Sequence, residues 1–238
     1  MKMDLTGKRA LVTGAGSGIG RAIALRLHEE GMKLALGGRN VEKLMQVQAL
    51  CPGSVILPGD LLDNEYLFSL PAEAEKALGG LDVLVNNAGL AQRGPLEEVK
   101  PEEFDLIWKT DVRAPYFLCQ QALPILRRSG TPAIINIASA LAHSGYPMQS
   151  AYAAAKHALL GFSKSLANEV YTEGIRVHVI SPGGVATGMV ALTRPDLAGS
   201  DMILPEDVAD AAVYLLSHRG GAVIDEIRIH RAGKEPFA

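Results

Sequence analysis

The sequence has little of what marks several classes of protein. Its 238 residues include two cysteines and one tryptophan, aromatic residues make up 5%, and the formal net charge is −3. Cys51 and Cys119 lie in unrelated surroundings and offer neither a disulfide framework nor metal-ligand spacing. A slightly acidic chain also lacks the positive surface that binds nucleic acids. We therefore expect no disulfide, no metal and no nucleic-acid partner.

Long apolar runs are also missing. The charge-free stretch Ser129–Ala155 contains prolines, several serines and polar residues such as Asn136 and Gln149, so it does not have the composition of a membrane span. The first residues run directly into a strand pattern and include Asp4 and Lys8, without the apolar core of a signal peptide. These features predict a cytoplasmic protein that has no contact with a membrane.

What the sequence does have is a regular alternation of short apolar runs and longer helical patterns. The runs are rich in Val, Ile and Leu with little polar alternation, which is typical of strands buried on both faces. The predicted strands are Arg9–Thr13, Lys33–Leu36, Ser54–Leu57, Val83–Asn86, Ala133–Ala138, Arg176–Ile180 and Glu226–His230. The alternation predicts one α/β domain over residues 1–238, a doubly wound parallel sheet with helices on both faces. Residues 188–204 have no clear period and are predicted to form a loop of the length used for substrate lids.

The first strand leads into a glycine-rich turn, Thr13-Gly-Ala-Gly-Ser-Gly-Ile-Gly20, and then directly into a helical pattern. Glycines allow a tight turn and let backbone N–H groups approach a pyrophosphate at the helix N-terminus. Such turns also serve packing, but the strand–turn–helix context at the start of a βαβ unit favours dinucleotide binding.

The second strand ends at Gly37-Gly38-Arg39-Asn40. An acidic residue here would bind the 2′-hydroxyl of an NAD ribose, whereas an arginine can pair with the 2′-phosphate of NADP. Arg39 could also be an ordinary exposed loop residue. The missing acid and the basic replacement agree, so the sequence favours NADP(H) over NAD(H).

Three residues near the middle of the chain form a candidate catalytic group. Tyr152 and Lys156 are four residues apart in a helical pattern, which places phenol and ammonium on one face. A nearby lysine favours ionisation of a phenol whose ordinary pKa is about 10. Ser139 follows a predicted buried strand, at the edge of the sheet where sites gather, and its hydroxyl could bind a substrate carbonyl oxygen.

With these motifs in order, the sequence resembles the classical short-chain dehydrogenase/reductase family over essentially its whole length. Further matches are Asp60-Leu61, Asn86-Asn-Ala-Gly89 and Pro182-Gly183 with Thr187. The resemblance implies a seven-stranded Rossmann fold, hydride transfer between a nicotinamide and a carbonyl or alcohol, and a homodimer or homotetramer. It implies Tyr152 as general acid/base, Lys156 as the residue that lowers its pKa, and Ser139 as the residue that polarises the carbonyl. The implied cofactor-binding residues are Gly14, Ser17, Gly18, Ile19, Gly20, Arg39, Asp60, Leu61, Asn87, Ala88, Gly89, Tyr152, Lys156, Pro182, Gly183, Val185 and Thr187.

One residue departs from the family pattern at the candidate site. Where the family usually has an asparagine that completes a catalytic tetrad, this sequence has Asp111. Its main-chain carbonyl is retained, so we expect the proton relay to survive. A carboxylate near Lys156 would favour the lysine cation and oppose the tyrosinate, which predicts an active enzyme with a raised optimum pH.

The substrate is less well defined by the sequence. The resemblance places a mostly apolar set of residues around the substrate pocket: Leu141, Met148, Gln149, Gly184 and Met189. Two alternatives to a general carbonyl or secondary-alcohol oxidoreductase stay open. One is a 3-oxoacyl-carrier-protein reductase-like thioester reductase. The other is a catalytically weak NADP-binding sensor or regulator, which only Asp111 favours.

Overall fold

The computed structural model describes residues 2–193 and 201–234, and its centre is a seven-stranded sheet in which every neighbouring pair is parallel. The strands are β1 (Arg9–Thr13), β2 (Lys33–Gly38), β3 (Val55–Pro58), β4 (Val83–Asn86), β5 (Ala133–Ile137), β6 (Arg176–Pro182) and β7 (Glu226–Ile229). Their order is β3-β2-β1-β4-β5-β6-β7, so the direction of winding reverses between β1 and β4. The doubly wound, seven-stranded Rossmann fold is confirmed.

Helices connect the strands along the chain. They are α1 (Gly18–Glu29), α2 (Val41–Leu50), α3 (Asn64–Leu78), α4 (Pro101–Trp108), α5 (Ala114–Leu126), α6 (Ser150–Val170), α7 (Gly188–Thr193) and α8 (Pro205–Ser217). Local sequence explains several of their ends. The Asn40 side chain caps α2 by accepting a hydrogen bond from the Lys43 amide, and Pro205 begins α8 with acidic residues in its first turn. A π-helical turn over Lys109–Arg113 joins α4 to α5.

Two hydrophobic cores cover the two faces of the sheet. Successive strand residues point to opposite faces, so Val12 packs in the core beneath α1, α2 and α8, whereas Leu11 packs in the core beneath α3, α5 and α6. Leu27 and Leu118 are fully or almost fully buried on these two faces. Burial on both faces explains why the strands read as continuous apolar runs.

The expectation of an irregular segment over residues 188–204 is wrong at its beginning. Gly188–Thr193 form α7, which starts where the backbone amide of Ala191 donates to the carbonyl of Thr187. Six residues are too few for a helical period to be visible in the sequence. The residues of this segment from 194 to 200 lie outside the described residues. Ile203 pairs with Val185 in an isolated parallel bridge.

At the amino ends of the strands, Asp82 ties three strands together. Its carboxylate accepts hydrogen bonds from the Arg9 backbone amide and from Nε and Nη2 of Arg9, at 2.8–2.9 Å. The Ser129 hydroxyl adds a fourth bond of 2.5 Å. The backbone amide of Asp82 donates to the Arg9 carbonyl oxygen, and the Asp82 carbonyl oxygen accepts from the Ala133 amide, at the starts of β1 and β5. This carboxylate therefore fixes the edge of the sheet opposite the candidate site.

Both cysteines, Cys51 and Cys119, are buried free thiols. Within residues 2–193 and 201–234, no helix has the length and apolar character needed to cross a membrane. In the same residues no cluster of three or more His, Cys, Asp or Glu side chains could hold a metal ion.

Candidate active site

A cleft of about 680 Å³ opens at the carboxyl ends of the strands, where the winding of the sheet reverses between β1 and β4. In open α/β sheets this switch point is where ligands bind, because the loops diverge and leave a crevice between them. Its walls come from the loops after β1, β2, β3, β4, β5 and β6. The cleft thus runs from the Arg39 loop at one end to Tyr152 and Lys156 at the other.

The glycine-rich turn forms the floor of the cleft. Gly14 has a φ of +65°, which a residue with a side chain rarely adopts. A Cβ on Gly20 would lie 2.3 Å from the Gly14 carbonyl oxygen, so only glycine lets α1 start this close to β1. Asn87 holds the turn by donating from Nδ2 to the Thr13 carbonyl oxygen at 2.9 Å.

The N-terminus of α1 opens onto this floor. Ser17, which precedes the helix, makes no side-chain capping bond to it. The first N–H groups of α1 therefore have no side-chain acceptor at the cap, and together with the helix dipole they favour an anion. Gly18 and Thr187 close the turn from opposite sides of the cleft, since a Cβ on Gly18 would lie 3.1 Å from the Thr187 methyl. The cradle fits the pyrophosphate of a dinucleotide.

The end of the cleft beside β2 is basic. Arg39 follows β2 and is exposed, with Nη1 3.7 Å from an oxygen of Asp60. Such an exposed pair is weak, so the guanidinium can turn toward a ligand phosphate. Lys43 on α2 also lines the cleft and packs against the glycine turn, 3.1 Å from the place that a Cβ on Gly16 would take. The residue that directly follows β2 is Arg39 rather than an acidic residue, and the nearby carboxylate is that of Asp60.

The opposite end of the cleft holds the three candidate catalytic side chains. Ser139 comes two residues after β5, and its oxygen accepts a hydrogen bond from the Leu141 amide at 3.2 Å. Tyr152 and Lys156 lie one turn apart in α6, with Nζ 5.6 Å from the centre of the phenol ring. Lys156 is buried and donates to the Ile137 carbonyl at 3.1 Å. The structure thus brings together residues from β5 and α6 in one corner.

Asp111 lies against this group from the π-helical turn between α4 and α5. Its Oδ1 accepts a hydrogen bond of 2.7 Å from the Leu90 amide, and Oδ2 is 3.0 Å from Nζ of Lys156. The side chain is 1% exposed and still forms part of the cleft wall. A Cβ on Gly89 would lie 3.0 Å from Oδ2, so a larger residue at position 89 would crowd the carboxylate.

The charges in this corner shift each other's pKa. Burial raises the pKa of Tyr152 and the Asp111 carboxylate raises it further, while Lys156 and a hydrogen bond with Ser139 lower it; the net direction is upward. Burial opposes the Lys156 cation, but Asp111 and Tyr152 outweigh burial and raise the pKa of Lys156. The pKa of Asp111 is raised by burial, which Lys156 only partly offsets. The lysine is therefore a cation and the phenol a proton donor at neutral pH.

Comparison with known proteins agrees with this geometry. The sequence profile described as short chain dehydrogenase matches residues 8–198. An uncharacterised oxidoreductase of Staphylococcus aureus strain MW2 is 35% identical over 227 residues, which cover 94% of this chain and 97% of that protein. Nodulation protein G of Rhizobium sp. strain N33 is 37% identical over 229 residues, 92% of this chain and 94% of that protein. The chain belongs to the short-chain dehydrogenase family.

Solved structures support the same assignment. A dehydrogenase/reductase from Sinorhizobium meliloti 1021 has a TM-score of 0.86 and 33% identity, covering 95% of this chain and 96% of its own. A short chain dehydrogenase/reductase family protein has a TM-score of 0.88 and 32% identity, covering 96% and 97%. The chain is therefore an oxidoreductase of this family, whose members act on small molecules with a nicotinamide cofactor, NAD or NADP.

Most of the residues that the sequence predicts for a short-chain dehydrogenase site line the cleft. They are Gly14, Ser17, Gly18, Ile19, Arg39, Asp60, Leu61, Asn87, Ala88, Gly89, Asp111, Ser139, Tyr152, Lys156, Pro182, Gly183, Val185, Thr187 and Met189. Gly20 lies beneath the turn, where it packs against Asn87 rather than facing the cleft. The predicted cofactor and catalytic residues therefore share one crevice.

The predicted substrate residues divide into two groups. Met189 on α7 is part of the cleft wall, but the wall does not include Leu141, Met148, Gln149 or Gly184. These four support neighbouring segments. The Leu141 amide holds Ser139, the Met148 carbonyl accepts from the Gly94 amide at 2.9 Å, and buried Gln149 lies 3.5 Å from the Gln92 carbonyl. Gly184 accepts a hydrogen bond from the Ile203 amide.

Sequence reasoning missed several cleft residues, above all Lys43, Leu90 and Leu192. A signal for Lys43 was present: Asn40 is a capping residue, which places Lys43 in the first turn of α2 beside the glycine turn. Leu90 directly follows the Asn86–Gly89 motif. Leu192 had no signal because the helical period of α7 is too short to recognise.

Proposed function

We propose that the chain is an NADP(H)-dependent oxidoreductase that transfers hydride between the nicotinamide and a carbonyl or secondary-alcohol substrate. The observation that carries this proposal is the convergence of Ser139, Tyr152 and Lys156 at the end of a cleft whose floor is a dinucleotide cradle. A hydroxyl, a buried phenol and a buried cation are what proton transfer to a carbonyl oxygen requires.

Each side chain has a separate part in the proposed reaction. Ser139 would bind the substrate oxygen, and Tyr152 would donate a proton to it in reduction or accept one in oxidation. Lys156, fixed by the Ile137 carbonyl, would stabilise the phenolate. Asp111 would hold Lys156 through its carboxylate. The bound nicotinamide supplies or accepts the hydride.

The cofactor would lie along the cleft with its pyrophosphate on the glycine turn. Gly14, Gly18 and Gly20 permit the approach of the backbone, and Ser17 and Ile19 begin the helix that faces the anion. Asp60 and Leu61 would meet the adenine. Residues after β4 and β6 would border the nicotinamide half: Asn87, Ala88, Gly89, Pro182, Gly183, Val185 and Thr187.

We base the preference for NADP(H) on the basic end of the cleft. Arg39→Ala should raise the KM for NADPH roughly tenfold, because a charge-assisted bond to a phosphate is lost. The KM for NADH should stay unchanged. Lys43→Ala should act in the same direction with a smaller effect. Lys76→Ala, an exposed lysine on α3, is the matched control. Equal effects of Arg39→Ala on both cofactors would contradict the assignment.

The substrate end of the cleft favours an apolar molecule. Leu90, which donates to Asp111, and Met189 and Leu192 on α7 contribute apolar side chains to the cleft wall. A panel of simple ketones, diketones, β-keto acids and acetoacetyl thioesters, assayed by NADPH oxidation with NADH in parallel, tests this. Best turnover of a thioester would favour the 3-oxoacyl reductase-like alternative. Tight NADPH binding without turnover of any carbonyl would favour a sensor or regulator.

We also propose a homo-oligomer, dimeric or tetrameric, and a cytoplasmic location as the sequence predicts. The oligomer is supported by exposed aromatic residues on α4 and α5: Phe104, Trp108 and Tyr116 are 39–47% exposed, and Phe104 stacks on Trp108. Exposed aromatic residues are enriched in protein interfaces. Light scattering after gel filtration measures the oligomeric state directly. A monomeric mass would contradict this part of the proposal.

A further inference from the structure

The buried carboxylate of Asp111 changes the charge at the catalytic end of the cleft. Among the described residues, the charges that act on Tyr152 come from Lys156 and Asp111. With Asp111 paired to Lys156 at 3.0 Å, the two charges sum to zero. An uncharged residue at position 111 would leave a buried ammonium and a net charge of +1. The carboxylate is therefore an electrostatic feature of the cleft as well as a structural one.

The carboxylate is held in place by two contacts. The Leu90 amide donates to Oδ1, and Lys156 contacts Oδ2. It has almost no exposed surface. A fixed charge shielded from water acts over a longer range than a surface charge, because water and counter-ions screen it less.

The two redox forms of a nicotinamide ring differ by one unit of charge. The oxidised ring is a cation and the reduced ring is neutral. Hydride transfer requires this ring beside the carbon whose oxygen faces Tyr152, so the ring must lie at the end of the cleft that Asp111 lines. A neutral corner accepts the cation more readily than a corner that already holds an unpaired ammonium.

We propose that the Asp111 carboxylate strengthens binding of the oxidised cofactor relative to binding of the reduced cofactor. The inference rests on the proposed function, since it assumes a nicotinamide ring in this corner. Two unit charges about 10 Å apart, at an effective dielectric constant of about 20, change a binding equilibrium roughly tenfold or more. When both forms are present, a larger share of the enzyme then carries the oxidised form, while the overall equilibrium of the reaction is unchanged.

The test is direct binding, which needs no substrate and no turnover. Dissociation constants for NADP+ and NADPH, and for NAD+ and NADH, would be measured by titration calorimetry on the wild type and on Asp111→Asn. Asparagine keeps the acceptor for the Leu90 amide and the shape of the side chain. Asp105→Asn is the matched control, because it removes the same charge from an exposed position on α4. Thermal unfolding of each variant confirms that the compared proteins are folded.

We expect Asp111→Asn to weaken binding of the oxidised cofactor relative to binding of the reduced cofactor roughly tenfold. Asp105→Asn should leave the ratio of the two dissociation constants unchanged. A merely structural role for Asp111 would weaken both redox forms alike, and that result would overturn the inference. An unchanged ratio would overturn it too. If the wild type binds neither NADP(H) nor NAD(H), the proposed function fails and the inference fails with it. Binding with an unchanged ratio leaves the proposed function standing.

Discussion

Two carboxylates paired with cations lie at opposite ends of the same sheet, and they are held in very different ways. Asp82, at the amino ends of the strands, accepts four hydrogen bonds from Arg9 and Ser129. Asp111, at the carboxyl ends, accepts one from the Leu90 amide and forms an ion pair of 3.0 Å with Lys156. Both are at most 3% exposed.

The pKa values of the two carboxyl groups move in opposite directions. Burial opposes the charge of Asp82, but hydrogen bonds from Arg9 and Ser129 outweigh it and lower the pKa. Burial dominates at Asp111 and raises its pKa. The difference lies both in the number of donors and in depth, since Asp82 accepts more hydrogen bonds and is less deeply enclosed by the protein than Asp111. A buried carboxylate that accepts several hydrogen bonds stabilises the fold. A buried carboxylate that accepts few hydrogen bonds changes the pKa of neighbouring groups through its charge.

The largest expected effect lies at the carboxyl end. Tyr152→Phe should lower kcat by about three orders of magnitude, because it removes the hydroxyl that we propose as the group that transfers the proton. Cofactor affinity and the unfolding midpoint should stay near the wild-type values. Tyr171→Phe, at the exposed end of α6, is the control. Steady-state kinetics with the best carbonyl substrate measure the change, and a variant with near-normal kcat would remove Tyr152 from the mechanism.

The second prediction concerns the amino end. Asp82→Asn should lower the free energy of unfolding by about 2–3 kcal/mol, because it leaves the partly buried Arg9 cation without its partner. Asp210→Asn breaks an exposed pair with Arg26 and should cost under about 1 kcal/mol. Urea denaturation compares the two variants. Similar losses would show that the hydrogen bonds around Asp82 add nothing beyond a surface ion pair.

Low pH should reduce the contribution of Asp82 to the free energy of unfolding. Its pKa in the folded protein lies below the ordinary value of 3.8, so the stabilisation is fully present above that value. It is lost as the pH falls through the folded-state pKa and the carboxylate is protonated. The difference in unfolding free energy between wild type and Asp82→Asn should therefore narrow below pH 3.8. A difference that widens in acid would reverse the assignment.

The sequence predicted the carboxyl end of the sheet better than the amino end. The glycine turn, Ser139 and the Tyr152–Lys156 pair carry local patterns, and the strand bounds followed from apolar runs. The link between Arg9 and Asp82 has no local pattern, because it joins residues far apart in the chain. It depends on the pairing of β1 with β4, which the sequence alone does not give.

The same reason explains which features of the candidate site could not be predicted from the sequence. The presence of Asp111 was visible, but its contact with the Leu90 amide depends on how the π-helical turn faces the loop after β4. Of the residues that we propose for the substrate wall, Leu90 lies in a loop, and Met189 and Leu192 lie on the six-residue α7, so neither period nor spacing indicates which side chains face inward. Residue type predicts chemistry here more reliably than it predicts the facing direction of a loop.

The smallest expected effect would sharpen the contrast between the two carboxylates. The groups that act on the Tyr152 phenol are Lys156, Asp111 and Ser139. Because the Asp111 charge raises the pKa of Tyr152, Asp111→Asn should lower that pKa and shift the pH profile of alcohol oxidation to lower pH. Asp82→Asn lies at the far edge of the sheet and should leave the profile in place. If the Asp111 variant shifts the profile to higher pH or leaves it unchanged, the Asp111 carboxylate does not raise the pKa of the phenol. Asp82 and Asp111 would then not differ in the way that we describe.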